Sequence, residues 1–187
     1  MRKVVLFIAM SLDGYIADNS GNVDWLAGED SNAEGSDSYE KFVETIDTVV
    51  MGYKTYNQIV TELSPDEWIY EGMTSYVITH RDIKSDSDDI IFVGESPSDL
   101  IRKIRKEEGK DVWICGGASV VQDLVASNLI DEYRISIIPT ILGEGISLFG
   151  NGKEKINLSL TKTETDNGII ELTYKKEILY LNKFRNL

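Results

Sequence analysis

Histidine and cysteine are nearly missing from this chain: His80 and Cys115 are the only ones in 187 residues. A lone cysteine excludes an internal disulfide and suits a reducing, cytoplasmic setting. No metal site is expected. Basic residues are scarce too, 19 against 32 acids, and the net charge of −13 argues against nucleic acid or an anionic membrane as partner. Long apolar runs are lacking; none approaches the roughly 20 residues of a membrane span. The opening "MRKVVLFIAMSLDG" has a short apolar run with no small-residue cleavage site, and it runs straight into Asp13-Gly14. It therefore reads as a first strand and not as a signal peptide. No repeat, low-complexity tract or long linker interrupts the chain. The stretch 62–73, with Pro65 and Gly72, is too short to separate domains, so one domain over residues 1–187 is expected.

What is present is a regular alternation. Residues 3–9, "TVVM" (48–51), "SYVIT" (75–79), "DIIFV" (89–93), "DVWIC" (111–115) and "DEYRISIIPTIL" (131–142) read as strands. Between them lie helical patterns. Residues 38–46 place Phe42, Val43 and Ile46 inward, and Tyr56, Ile59, Val60 and Leu63 recur at helical spacing. Ser96-Pro97 caps a third helix that Gly109 closes, and Val120, Val121, Leu124 and Val125 form the inner stripe of a fourth. Residues 15–35 read as a long loop of functional type. The last two strands, 158–165 and 169–175, meet at Asp166-Asn167-Gly168, a strong hairpin signal. The pattern predicts an α/β fold: a mostly parallel sheet with helices on both faces and an antiparallel C-terminal hairpin.

"VWICGGASVVQDLV" (112–125) sets two glycines between a strand and a helix. A tight turn needs such residues, and so does a ligand that approaches the backbone; bare N–H groups at a helix start suit an anion. Ligands of such sheets bind at the carboxyl ends of the strands. Three glycine-bearing loops of this chain fall there: 10–21, 52–55 and 116–117. Their convergence favours the ligand. The acids Asp24, Glu29, Asp30, Glu34, Asp37, Glu40, Glu44 and Asp47, against Lys41 alone, read as a solvated loop and helix face.

"VLFIAMSLDGYIADNSGNVDW", "VVMGYKTY", "YVITHR" and "WICGGASVVQDL" follow the order and spacing of the dihydrofolate reductase-like superfamily. "GGASVVQDLVASNLIDEYRISIIPTILGEGISLF" most resembles the reductase domain of riboflavin-biosynthesis deaminase/reductases and their stand-alone relatives. The resemblance spans about residues 3–177 and implies an eight-stranded sheet with NADPH as hydride donor. It implies that Ala9 and Ile16 touch the nicotinamide half. Gly52, Tyr53, Lys54 and Thr55 would hold phosphates, and Thr79, His80 and Arg81 would lie near the adenine ribose and its 2′-phosphate. Gly116 and Gly117 would lie against the pyrophosphate, with helix-start N–H groups from Ala118, Ser119 and Val120. Cys115 is either a buried structural thiol or a wall of the nicotinamide pocket. The charge pattern agrees, since residues 1–75 hold only Arg2, Lys3, Lys41 and Lys54 as bases, and Lys54 sits at the second glycine turn.

Two departures bear on substrate. Folate-reducing members carry a carboxylate on the first helix, where Ser38 stands here beside Asp37. The riboflavin-pathway reductases use arginines for the substrate's ribose phosphate, whereas residues 14–53 contain no arginine and one lysine. An unpaired phosphate among carboxylates is costly. A neutral or weakly basic, pterin- or pyrimidine-like small molecule is the expected substrate, reduced at C=N or C=O. Asp13, Asp37 or water would deliver the proton; Asp13 in "SLDG" serves equally as an Asx turn. Other readings are a non-catalytic NADP-binding relative, a true dihydrofolate reductase, and a doubly wound domain for another nucleotide. The last lacks GxGxxG and GxxxxGK[ST]. The apolar tail "ILYLNKF" (178–184) hints at a homodimer contact.

Overall fold

The computed structural model describes residues 1–30, 37–85, 87–150 and 154–177; the tail at 178–184 lies outside them. Eight strands form one sheet. Six are parallel: β1 (Val4–Ser11), β3 (Ile46–Gly52), β4 (Thr74–Ile78), β5 (Ile90–Val93), β6 (Asp111–Gly116) and β7 (Glu132–Ile138). The hairpin strands β9 (Leu158–Asp166) and β10 (Ile169–Lys176) complete it in antiparallel sense, in the order β5-β4-β3-β6-β1-β7-β10-β9. The expected architecture is the observed one. Asn167 and Gly168 turn the hairpin at φ 47° and 75°, as the Asn-Gly pair requires.

Alternate side chains of the central strands go to opposite faces. Val4, Leu6, Val112 and Ile114 pack with α3 (Pro97–Ile104) and α4 (Ala118–Ala126). Val5, Val49, Met51 and Trp113 pack with Phe42 of α1 (Ser38–Val43) and with Ile59, which follows α2 (Tyr53–Gln58). Each fully buried aliphatic or aromatic side chain here contributes about 1.5–3 kcal/mol over exposure. No helix among the described residues is long and apolar enough to cross a membrane.

Several boundaries differ from the sequence pattern. The first helix stops at Val43, because Thr45 turns back to the Phe42 carbonyl through both its N–H and its hydroxyl. Beyond α2 the turn widens over Ile59–Leu63, with the Ser64 N–H reaching the Ile59 carbonyl, and this rotates Leu63 out of the inner stripe to 57% exposure. Helix α3 ends at Ile104, before Gly109, in tightened i→i−3 turns. Strand β7 ends at Ile138, ahead of Pro139, which has no N–H to continue the ladder. The long loop contains a short strand, β2 (Tyr15–Ala17), paired with β8 (Ile146–Ser147).

Charge gathers at the amino ends of the parallel strands. Arg2 pairs with Asp47 and donates to Thr48 Oγ1 and the Lys110 carbonyl. Arg105 grips Asp131 at 2.9 and 3.1 Å. The Glu132 side chain, 4% exposed, accepts from Arg134 at 2.9 Å with Lys3 at 3.5 Å. Burial would raise its pKa, but the Arg134 bond and the Lys3, Arg134 and Lys175 charges outweigh burial and hold it low.

Candidate active site

At the opposite, carboxyl end, two strand-to-helix turns open side by side. Gly52 precedes α2 and Gly117 precedes α4, and neither helix start is capped by a side chain. Their strands are neighbours, with Met51 opposite Gly116. The opening has little spare room. A Cβ on Gly117 would lie 3.2 Å from Thr55 Oγ1, and one on Gly52 would lie 3.4 Å from a Val120 methyl. The two paired glycines have different reasons to be bare. Gly116 sits at φ 144°, which side chains avoid, and the Gly116–Gly117 peptide is cis. Gly117 has φ −80°, open to any residue, so its missing side chain leaves space beneath Thr55. Of the three helix-start donors expected, Val120 must be withdrawn. Its N–H already donates to the Gly117 carbonyl, and its side chain is core. Ala118 and Ser119 come before that first bond, at the uncapped start of α4.

Beside the cradle lies a cavity of about 300 Å³ lined by Tyr53, Lys54, Gln58, Glu62 and Arg81 together with 20–22 of the long loop. The Arg81 guanidinium stacks 4.2 Å from the Tyr53 ring centroid, which fixes its position and leaves its charge available. Gln58 Nε2 donates to the Gly21 carbonyl and holds the loop against α2. Thr79 shapes the turn, accepting from the Arg81 N–H through its hydroxyl. His80 is exposed and is not part of the cavity lining.

Ala9 and Ile16 lie near the ends of β1 and β2, with Ile16 packed on the α3/α4 side. On the α1 side, the face that Ala9 shares with Phe7, the rings of Phe7, Tyr39 and Trp113 form an aromatic wall, with centroids 5.9–6.4 Å apart. Cys115 lies close by, 3.3 Å from the Tyr70 hydroxyl. Burial pushes its thiol up to about 11, which keeps it protonated and a poor nucleophile near neutral pH. Asp13 accepts from Ser11 Oγ at 2.6 Å and from the N–H groups of Leu142 and Gly143, and the Ser11 bond leads in holding its pKa low. Asp37 is held low by its bond and ion pair with Lys41. Carboxyl groups kept ionised are poor proton donors, which makes water the better proton source. The Tyr15 N–H goes to Ser11 Oγ, so the Asp13 carboxylate forms no Asx turn and instead fastens the 142–143 loop.

Sequence reasoning missed two features. Ser38 Oγ lies 2.9 Å from each carboxylate oxygen of Glu171, donating to the pair from α1 to β10. Asn167 bonds Asp30 in both directions at 2.8 Å, and its carbonyl accepts the Glu29 N–H. Both contacts span over 130 residues, and only the strand register could have signalled them. Among the described residues no group of three or more His, Cys, Asp or Glu could hold a metal.

A family model described as RibD C-terminal domain matches residues 2–170. The uncharacterized Bacillus subtilis protein YwjB is 35% identical, over 92% of this chain and 97% of its own length. A Shewanella sp. PV-4 structure, linked by its name to riboflavin biosynthesis, superposes with TM-score 0.80 at 28% identity, covering 94% of this chain and 99% of that one. The Thermotoga maritima diaminohydroxyphosphoribosylaminopyrimidine deaminase/5-amino-6-(5-phosphoribosylamino)uracil reductase shares the fold. Its TM-score is 0.64 at 16% identity, over 94% of this chain and 56% of that one.

Proposed function

The chain belongs to the RibD C-terminal domain family, and from that membership we propose that it is an NADPH-dependent reductase of a small nitrogen heterocycle. One observation carries the reading: two uncapped helix starts meet over bare glycines, beside a cavity that holds Lys54 and Arg81. The donor set fits a dinucleotide phosphate. Gly52, Gly117 and the N–H groups of Ala118 and Ser119 would receive the pyrophosphate, and Lys54 and Arg81 the 2′-phosphate. When bound, NADPH supplies a hydride that adds to the carbon of a C=N or C=O bond while the heteroatom takes a proton from water. The protein's part is orientation and exclusion of solvent: Ala9 leaves room at the sheet surface, and Phe7, Tyr39 and Trp113 wall one side.

The Thermotoga enzyme's name specifies a phosphoribosyl substrate. Here Lys41 is the single base in residues 14–53, and Asp37 engages it. A neutral or weakly basic substrate without a phosphate suits this charge. The test is binding of NADPH and NADH to the wild-type protein and to Arg81→Ala. Losing Arg81 should weaken NADPH by about 1–3 kcal/mol and leave NADH nearly unchanged. Equal losses would remove Arg81 from the 2′-phosphate, and NADPH binding without turnover across pterins, pyrimidines and small carbonyls would mark a non-catalytic relative.

A further inference from the structure

We propose that Glu171 selects the substrate, by binding a planar edge that presents two N–H donors, of the amidine type. The inference rests on the reductase reading and adds a residue to its site. Glu171 of β10 stands opposite Ser136 of β7, which stands opposite Ala9 of β1. The preceding row, Phe7–Arg134–Thr173, is roofed by Phe42, whose ring lies 4.8 Å from that of Phe7 and 5.0 Å from the Arg134 guanidinium. One step toward the carboxyl ends, Ala9 and Ser136 are small, and the sheet surface drops. The Phe7–Tyr39–Trp113 wall bounds this floor on one side, and Glu171 stands at its far end.

The carboxylate is half-buried and its partners are incomplete. Ser38 has one hydroxyl hydrogen for two oxygens at 2.9 Å, so it orients the group without saturating it. Among the described residues no lysine, arginine or histidine forms an ion pair with Glu171, and the residue across the hairpin, Glu164, is itself engaged with Lys162 at 2.6 Å. A partly desolvated carboxylate with open lone pairs and an acidic neighbour favours a donor-rich or cationic ligand, and two parallel N–H bonds are its strongest arrangement. Ser38 is a positioning residue for that carboxylate.

The experiment uses the full chain and two planar probes of one shape: benzamidine, which presents paired donors, and benzamide, which presents one donor and one acceptor. NADPH binding is measured first and judges the reductase reading separately. The probes are then titrated into the NADP⁺-loaded protein, or into the free protein if no cofactor binds. Wild type should prefer benzamidine by at least about tenfold. Glu171→Gln, which keeps shape and the Ser38 bond, should erase the preference with cofactor affinity and thermal midpoint unchanged. Ser38→Ala should reduce the preference without erasing it. A preference that survives Glu171→Gln, or its absence in wild type, overturns the proposal.

Discussion

Gly116 and Gly117 look alike in the chain and do different work. Gly116 holds a backbone angle that costs other residues about 1–3 kcal/mol, so Gly116→Ala should lower the thermal midpoint. Gly117→Ala should leave stability within about 1 kcal/mol, since its backbone is ordinary. Its methyl would enter the space 3.2 Å from Thr55 Oγ1, and NADPH affinity should fall at least about tenfold. Thermal melts and cofactor titrations on both variants check this; undiminished NADPH binding by Gly117→Ala would remove the phosphate seat. The glycine pair was legible in the sequence because its signal is local. The part each glycine plays was not, because it depends on the backbone angle each adopts and on Thr55, which folds in from another segment. Asp13 shows the same limit: its residue type suggested a turn or an acid, whereas its carboxylate takes N–H groups 129 and 130 positions away.

Strands and helices were legible wherever one short periodic stretch decides them, and they shifted where a neighbour did. Thr45 ended one helix, and Pro139 ended a strand. The loop from Ala17 to Asp30 was legible as irregular but not as fastened. Gln58 pins it at Gly21, and the β9–β10 turn pins it at Asp30. Asn167→Gly keeps the positive-φ turn and deletes both side-chain bonds to Asp30. Hydrogen exchange of residues 22–30 should quicken in this variant, while β9 and β10 keep their protection. Unchanged exchange there would show that the turn does not hold the loop.

Taken as one molecule, the sheet has a charged end and an open end. Glu132, held below its ordinary 4.5, adds stability that is complete above that pH and is lost as the pH falls through the lowered value. Glu132→Gln should be less stable at neutral pH by about 1–3 kcal/mol, and its melting temperature should fall less steeply than wild type between about pH 4.5 and 3. Melts over that range decide it; parallel curves would remove Glu132 from the acid response. Arg2, Asp47, Arg105, Asp131 and Glu132 tie the amino ends together, whereas the cradle, the cationic cavity and Glu171 draw on segments at or near the carboxyl ends. Segments at the open end can therefore be exchanged with those of relatives without disturbing the ties that hold the strands in register. Chemistry can diverge at one end of this scaffold while inheritance at the other keeps it folded.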